Sequence, residues 1–211
     1  MRQPDRGPGM AGESIDLRIA ELLAARLCHE LVSPIGAIAN GLEILEDEPD
    51  FSGDAGALIA LSARQASRRL QFYRVAYGST AELPDEIARR AALELFAEGK
   101  IGCDWRVAAL PRGWQKLACN LVLLAAEALP RGGRIVLQEG AAGGIIVTAA
   151  GEGARLQEAA LEIIQAGWHA EVLSPRTVQA VFTVALAGRE AAAIEVRQVN
   201  VNELALVVKV K

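Results

Sequence analysis

Cys28-His29-Glu30-Leu31-Val32-Ser33-Pro34-Ile35-Gly36-Ala37-Ile38-Ala39-Asn40-Gly41-Leu42-Glu43-Ile44-Leu45 carries the densest pattern in the chain. Leu31, Ile35, Ile38, Leu42 and Leu45 recur at spacings of four, three, four and three, the period of an amphipathic helix or a coiled-coil seam. At about 100° per residue, His29 falls about 200° round from Leu31 and about 180° from Ile38. The histidine therefore points away from that seam. Pro34, five residues on, has no N–H for the carbonyl of Glu30 and costs a helix interior about 3 kcal/mol, so a bend just beyond the histidine is expected. A neutral imidazole is a good nucleophile, which makes His29, with Glu30 beside it, a candidate reactive group.

Working outward, residues 1–12 hold two prolines and three glycines without periodicity and are expected to be a disordered tail. The helix should start near Ser14, a possible cap, and run to about Asp47, a rod of about 50 Å. Pro49, Gly53 and a run of acids then turn the chain. Helical period resumes with Ile59, Ala63, Ala66, Leu70, Tyr73 and Tyr77, so residues 13–78 read as an antiparallel hairpin. Two such hairpins would bury their long apolar seams in a dimeric four-helix bundle. With the turn near residue 50, His29 lies level with about residue 71, which brings Arg64, Arg68, Gln71 and Phe72 within a turn or two. An Arg cluster there could hold a phosphoryl group or an acidic partner. A solvated helix face made by Arg64, Arg68, Arg69 and Arg74 is the alternative.

The whole chain has 211 residues, 52% hydrophobic but only 4% aromatic, a composition suited to helix packing. Its net charge of −4 argues against a nucleic-acid binder. Cys28, Cys103 and Cys119 are odd in number and widely spaced, which indicates neither a disulfide framework nor a zinc site and suits a reducing cytoplasm. The apolar run from Leu117 to Leu129 is too short to span a bilayer, and residues 1–12 lack a signal-peptide core, so neither export nor membrane insertion is expected.

After Gly78-Ser79-Thr80 the pattern alternates. Helices are expected over 84–99, 114–129, 156–166 and 175–186, the last capped by Ser174. Strands are expected over 103–107, 134–139, 145–149, 193–199 and 204–210. Residues 79–211 thus form an α/β sandwich with a mixed sheet covered on one face by helices, and the whole chain is of the α+β class. His169, the other histidine, reads as a loop residue.

His29-Glu30-Leu31-x-x-Pro34 resembles the phosphoacceptor box of two-component histidine kinases. The longer string through Ser33-Pro34-Ile35-Gly36-Ala37-Ile38-x-Asn40-Gly41-Leu42-Glu43 is more specifically similar to the ChpT-type histidine phosphotransferases of alphaproteobacteria. The second half resembles the kinase ATP-binding domain in a degenerate form. Asn120-Leu121-Val122-Leu123-Leu124-Ala125 through Pro130-x-Gly132-Gly133 looks like the kinase N-L-L-x-N-A and T-P-x-G-G run, with Leu124 where the magnesium-ligating asparagine would stand. Ala149-Ala150-Gly151-Glu152-Gly153 keeps the glycines of the D-x-G-x-G box but has Ala149 in place of its aspartate. Leu156, Ala159, Ala160, Ile163 and Ile164 suggest a packed helix in place of the glycine-rich lid.

The resemblance implies a phosphorelay intermediate. A receiver-domain aspartyl phosphate on a hybrid kinase would be the donor, and receiver domains of response regulators the acceptors. His29 would carry the phosphoryl group and Glu30 would orient or stabilise its imidazole. Arg26, Ser33, Pro34, Asn40, Arg64, Arg68, Gln71 and Phe72 are the candidates for partner binding. The receiver would bring its own Mg²⁺, so neither cofactor nor metal is expected on this chain. An ATP-using histidine kinase and a non-catalytic dimeric adaptor are the alternatives.

Overall fold

The computed structural model describes residues 9–47, 52–78 and 84–210. Two helices come first, α1 (Gly9–Asp47) and α2 (Ser52–Tyr77), and lie against each other as a hairpin. Then follow α3 (Asp85–Leu95), β1 (Ile101–Trp105), α4 (Gln115–Glu127), β2 (Gly133–Glu139), β3 (Ile145–Ala150), α5 (Glu158–Ala166), α6 (Val178–Arg189), β4 (Ala192–Asn200) and β5 (Glu203–Val210). The chain is α+β, as its periodicities indicate. Of the tail expected over 1–12, residues 1–8 lie outside the described residues, while Gly9–Gly12 are already helical, so α1 starts before Ser14.

The five strands are ordered β1-β2-β3-β5-β4. Only β1 and β2 pair in parallel, because α4 carries the chain over the sheet between them; tight turns join β2 to β3 and β4 to β5 and make those pairs antiparallel. On β3, Ile145, Val147 and Ala149 are buried and alternate with half-buried residues, the signature of a sheet with one covered face. Every residue of α4 from Leu117 to Ala125 is buried. The turn before β2 requires its glycines: a Cβ on Gly132 would lie 2.4 Å from the Lys100 carbonyl oxygen, and one on Gly133 2.3 Å from that of Ala150. The last helix differs from expectation. It begins at Val178 and not at Pro175, because Thr177 Oγ1 accepts from the Ser174 N–H at 2.9 Å and holds that segment in a separate turn.

The hairpin shows which of its faces the single chain covers. Leu23, Pro34 and Gly41 of α1 and Ala55, Ser62 and Tyr73 of α2 are among its buried residues. A Cβ on Gly41 would fall 2.6 Å from Ile59 Cγ1, so this glycine lets the helices approach closely. Ile35, Leu42 and Leu70, members of the seams that the sequence assigns to a dimeric bundle, are 55%, 50% and 59% exposed. These members of the heptad-spaced stripe are left uncovered by their own chain, while Leu31, Ile38 and Leu45 are half-buried.

Two further points bear on the hairpin. From Leu17 to Asp47, α1 is long and apolar enough by length and composition alone to cross a membrane, a stretch longer than the Leu117–Leu129 run. Heptad spacing accounts for that apolarity as a helix-pairing stripe. At the open end of the hairpin, Leu23, Phe72, Tyr73, Val75 and Ala76 enter the same buried cluster as α4 and α6. Tyr77 stacks on Tyr73, ring centroids 5.7 Å apart, and meets Phe182 of α6 edge-on at 5.5 Å.

Candidate functional site

His29 is exposed on α1. Residues four, seven and eleven positions on, Ser33, Gly36 and Asn40, share its helix face, and all three are exposed. Small and polar side chains thus flank the imidazole along the helix. Glu30, one residue on, turns about 100° to the α2 side and is half-buried.

The turn that follows contains Pro34. Proline cannot donate to the Glu30 carbonyl, and its ring crowds that oxygen. α1 nevertheless runs through Pro34 without a break, and the freed carbonyl accepts a hydrogen bond from Arg69 Nη1 of α2. The same guanidinium nitrogen lies 3.2 Å from Glu30 Oε2. Both side chains are about one-third exposed, 33% for Glu30 and 34% for Arg69, so as a charge pair they contribute at most about 1 kcal/mol. Their value lies in geometry.

Several expected site residues lie elsewhere. Phe72 is fully buried and Pro34 is buried, so neither offers a surface to a partner: Pro34 is four residues past Glu30 and shares its α2-facing side, and Phe72 lies where the sandwich covers α2. Arg26 is drawn onto Glu127 of α4 at 2.6 Å, and Arg68 onto Glu98, beyond α3, at 2.8 Å. Both arginines fasten the hairpin to the second half. Arg64 and Gln71 are exposed, the latter donating to Ser67 Oγ at 3.3 Å.

Arg26, Glu30, Arg69 and Tyr73 on the hairpin, with Glu98, Lys100 and Glu127 opposite, line a cleft of about 440 Å³. Burial pushes the Glu127 carboxyl up, against the pull of Arg26. Arg69 and Glu127 were missed in the sequence, yet both left a signal. A helix proline predicts an orphaned carbonyl four residues earlier, and an acid in a buried apolar helix predicts a cation facing it.

Burial also raises both tyrosines of the chain, Tyr77 to about 12 and Tyr73 further. A phenol ordinarily titrates near 10, so the unfolded chain ionises first as pH rises. The stability these tyrosines contribute is complete below about pH 10 and is lost as pH climbs through the folded value. As the chain has 2 tyrosines, Tyr73 and Tyr77, alkaline difference spectroscopy reads this pair alone. Tyrosinate absorbance is expected to rise only above about pH 12 or together with unfolding; a free rise near pH 10 in folded protein would contradict their burial.

Leu124 and Ala149 are fully buried. Asn120 donates from Nδ2 to the carbonyls of Ala76 and Lys116, both at 2.8 Å, and accepts from Gln179 Nε2 at 3.0 Å. Gln179 in turn accepts from the Tyr77 hydroxyl at 2.6 Å. Asn120 thus ties the end of α2 to α4 and α6.

Residues 84–200 match the family described as the histidine phosphotransferase C-terminal domain. The protein phosphotransferase ChpT of Brucella abortus (strain 2308) is 37% identical over 180 residues, 81% of this chain and 86% of that protein. The chain belongs to the histidine phosphotransferase family. A solved bacterial phosphotransferase superposes with a TM-score of 0.81 at 33% identity, covering 92% of this chain and 96% of that one, hairpin included. As a family member the chain is a phosphotransferase enzyme, and the resemblance seen in its sequence is the correct one.

Proposed function

We propose that this phosphotransferase relays a phosphoryl group between receiver-domain aspartates through His29. The observation that carries this reading is an exposed histidine in mid-helix, flanked by Ser33, Gly36 and Asn40, on the hairpin of a histidine phosphotransferase. Nε2 of the neutral imidazole attacks phosphorus in line. The P–N bond forms as the P–O bond to the donor aspartate breaks, and the aspartate leaves as carboxylate. The reverse steps, on a response regulator's aspartate, return the imidazole. Positioning and charge stabilisation supply most of the catalysis in such transfers. The receiver brings Mg²⁺, and this chain supplies an aimed imidazole.

The buried Leu124 and Ala149, and an Asn120 whose amide is fully engaged, support a relay that does not draw on ATP. The working unit is a homodimer in the cytoplasm, without nucleic-acid or membrane partners. Its support is the heptad stripe on α1 and α2, of which Ile35, Leu42 and Leu70 are at least half exposed. A second copy of the hairpin would complete a four-helix bundle over it.

The test is transfer of labelled phosphoryl from a phosphorylated receiver domain to the purified chain without ATP, with mass measured by light scattering. Label on the chain and twice the monomer mass are expected. No label from any of several hybrid-kinase receivers would sink the relay, and a monomer at working concentration would sink the dimer.

A further inference from the structure

We infer that Arg69 is the positioning residue that aims His29, acting through the backbone and carboxylate of Glu30. The inference rests on the relay reading and adds a residue to it. Pro34 removes one helical hydrogen bond in the turn after His29 and leaves the Glu30 carbonyl without its intrahelical donor. One guanidinium from the facing helix takes that carbonyl and also holds the Glu30 carboxylate. Both contacts fall on the residue bonded to His29, so the imidazole's attachment point is fixed from α2. The pair is too exposed to serve mainly as a staple.

One nitrogen of the guanidinium, Nη1, meets the carbonyl and the carboxylate together, held there by a rigid planar group that the flexible stem of a lysine lacks. The carboxylate, held on the α2 side, also leaves the His29 face clear for an incoming phosphoryl group, which it would otherwise repel. Pro34 and Arg69 are therefore two halves of one device: the proline exposes a carbonyl and the arginine captures it.

A coupled set of variants tests this: Arg69→Gln, Arg69→Lys, Pro34→Ala and Pro34→Ala with Arg69→Gln, all in the full chain. Phosphoryl transfer from a labelled receiver domain gives the saturating rate and the half-saturating receiver concentration. Amide hydrogen exchange over residues 31–33 reports the local helix independently of activity. Arg69→Gln is expected to lower the saturating rate roughly tenfold to a hundredfold while half-saturation moves less than about twofold. Arg69→Lys recovers little of it. Exchange over 31–33 quickens in Arg69→Gln. Pro34→Ala returns the missing N–H, so in its background Arg69→Gln loses far less rate and exchange stays slow. A wild-type saturating rate in Arg69→Gln, or an equal loss with and without Pro34, overturns the inference. Should wild type itself take no label, the relay reading fails, and unchanged exchange in Arg69→Gln would then overturn the positioning role separately.

Discussion

Replacing His29 by glutamine is expected to abolish acceptance of the phosphoryl group from a receiver domain, with no label above background, while the melting temperature stays within about 2 °C of wild type. Both halves follow from where His29 sits. Its side chain is exposed on α1, so the substitution removes no buried contact and opens no cavity. Glutamine keeps a polar side chain of moderate length but offers only an amide nitrogen, whose lone pair is delocalised into the carbonyl. It cannot form a P–N bond at a useful rate, and the loss is all-or-none. Calorimetry and receiver binding by the same preparation complete the measurement. Transfer surviving in His29→Gln would move the acceptor elsewhere, and transfer lost together with the fold would remove the inference from chemistry.

Leu124→Asn is the second large effect, and it runs against what the kinase resemblance suggests. The substitution restores the residue type that a kinase uses to hold magnesium, yet position 124 is fully buried in α4, where the surrounding residues from Leu117 to Ala125 are also buried. Loss of the isobutyl group from a core costs about 2–5 kcal/mol by comparison with truncation to alanine. An amide left without partners there adds about 1–3 kcal/mol. The sum is on the order of the whole stability of a domain. The variant is therefore expected to unfold or to melt far below wild type, with no gain of nucleotide affinity, as scanning calorimetry with and without Mg-ATP will show. A folded variant that binds nucleotide would overturn the reading of this region as core.

Most of the architecture was legible because it is written in short periods. The strand at 145–150 is set off from the one before it by a glycine-containing turn, and the helix at 115–127 is apolar on nearly all sides. The hairpin shows where such reading stops. Two sets of positions with helical spacing overlap on α1, one of them containing Leu23, Pro34 and Gly41 and the other Ile35 and Leu42. Spacing alone cannot say which set meets the chain's own second helix, and the more hydrophobic set turned out to face away. The expected site suffered in the same way. Phe72 and Arg68 do lie near the level of His29 along α2, but level is not face, and both turn toward the second half. Arg26 met Glu127, 101 positions away, through a contact that no local pattern encodes.

The burial of Phe72, Tyr73, Val75 and Ala76 in one cluster with α4 and α6, together with the chain of hydrogen bonds from Tyr77 through Gln179 to Asn120, joins the base of the hairpin to the sandwich as one body. In a protein whose two parts hinge, a visiting partner must wait for, or induce, the competent arrangement, and affinity is reduced by the fraction of time spent elsewhere. Here the contacts that join the two parts are buried within the chain itself. A partner that came to His29 would find the base of its hairpin already packed on the sandwich, so the cost of docking the two parts would fall on folding and not on each encounter.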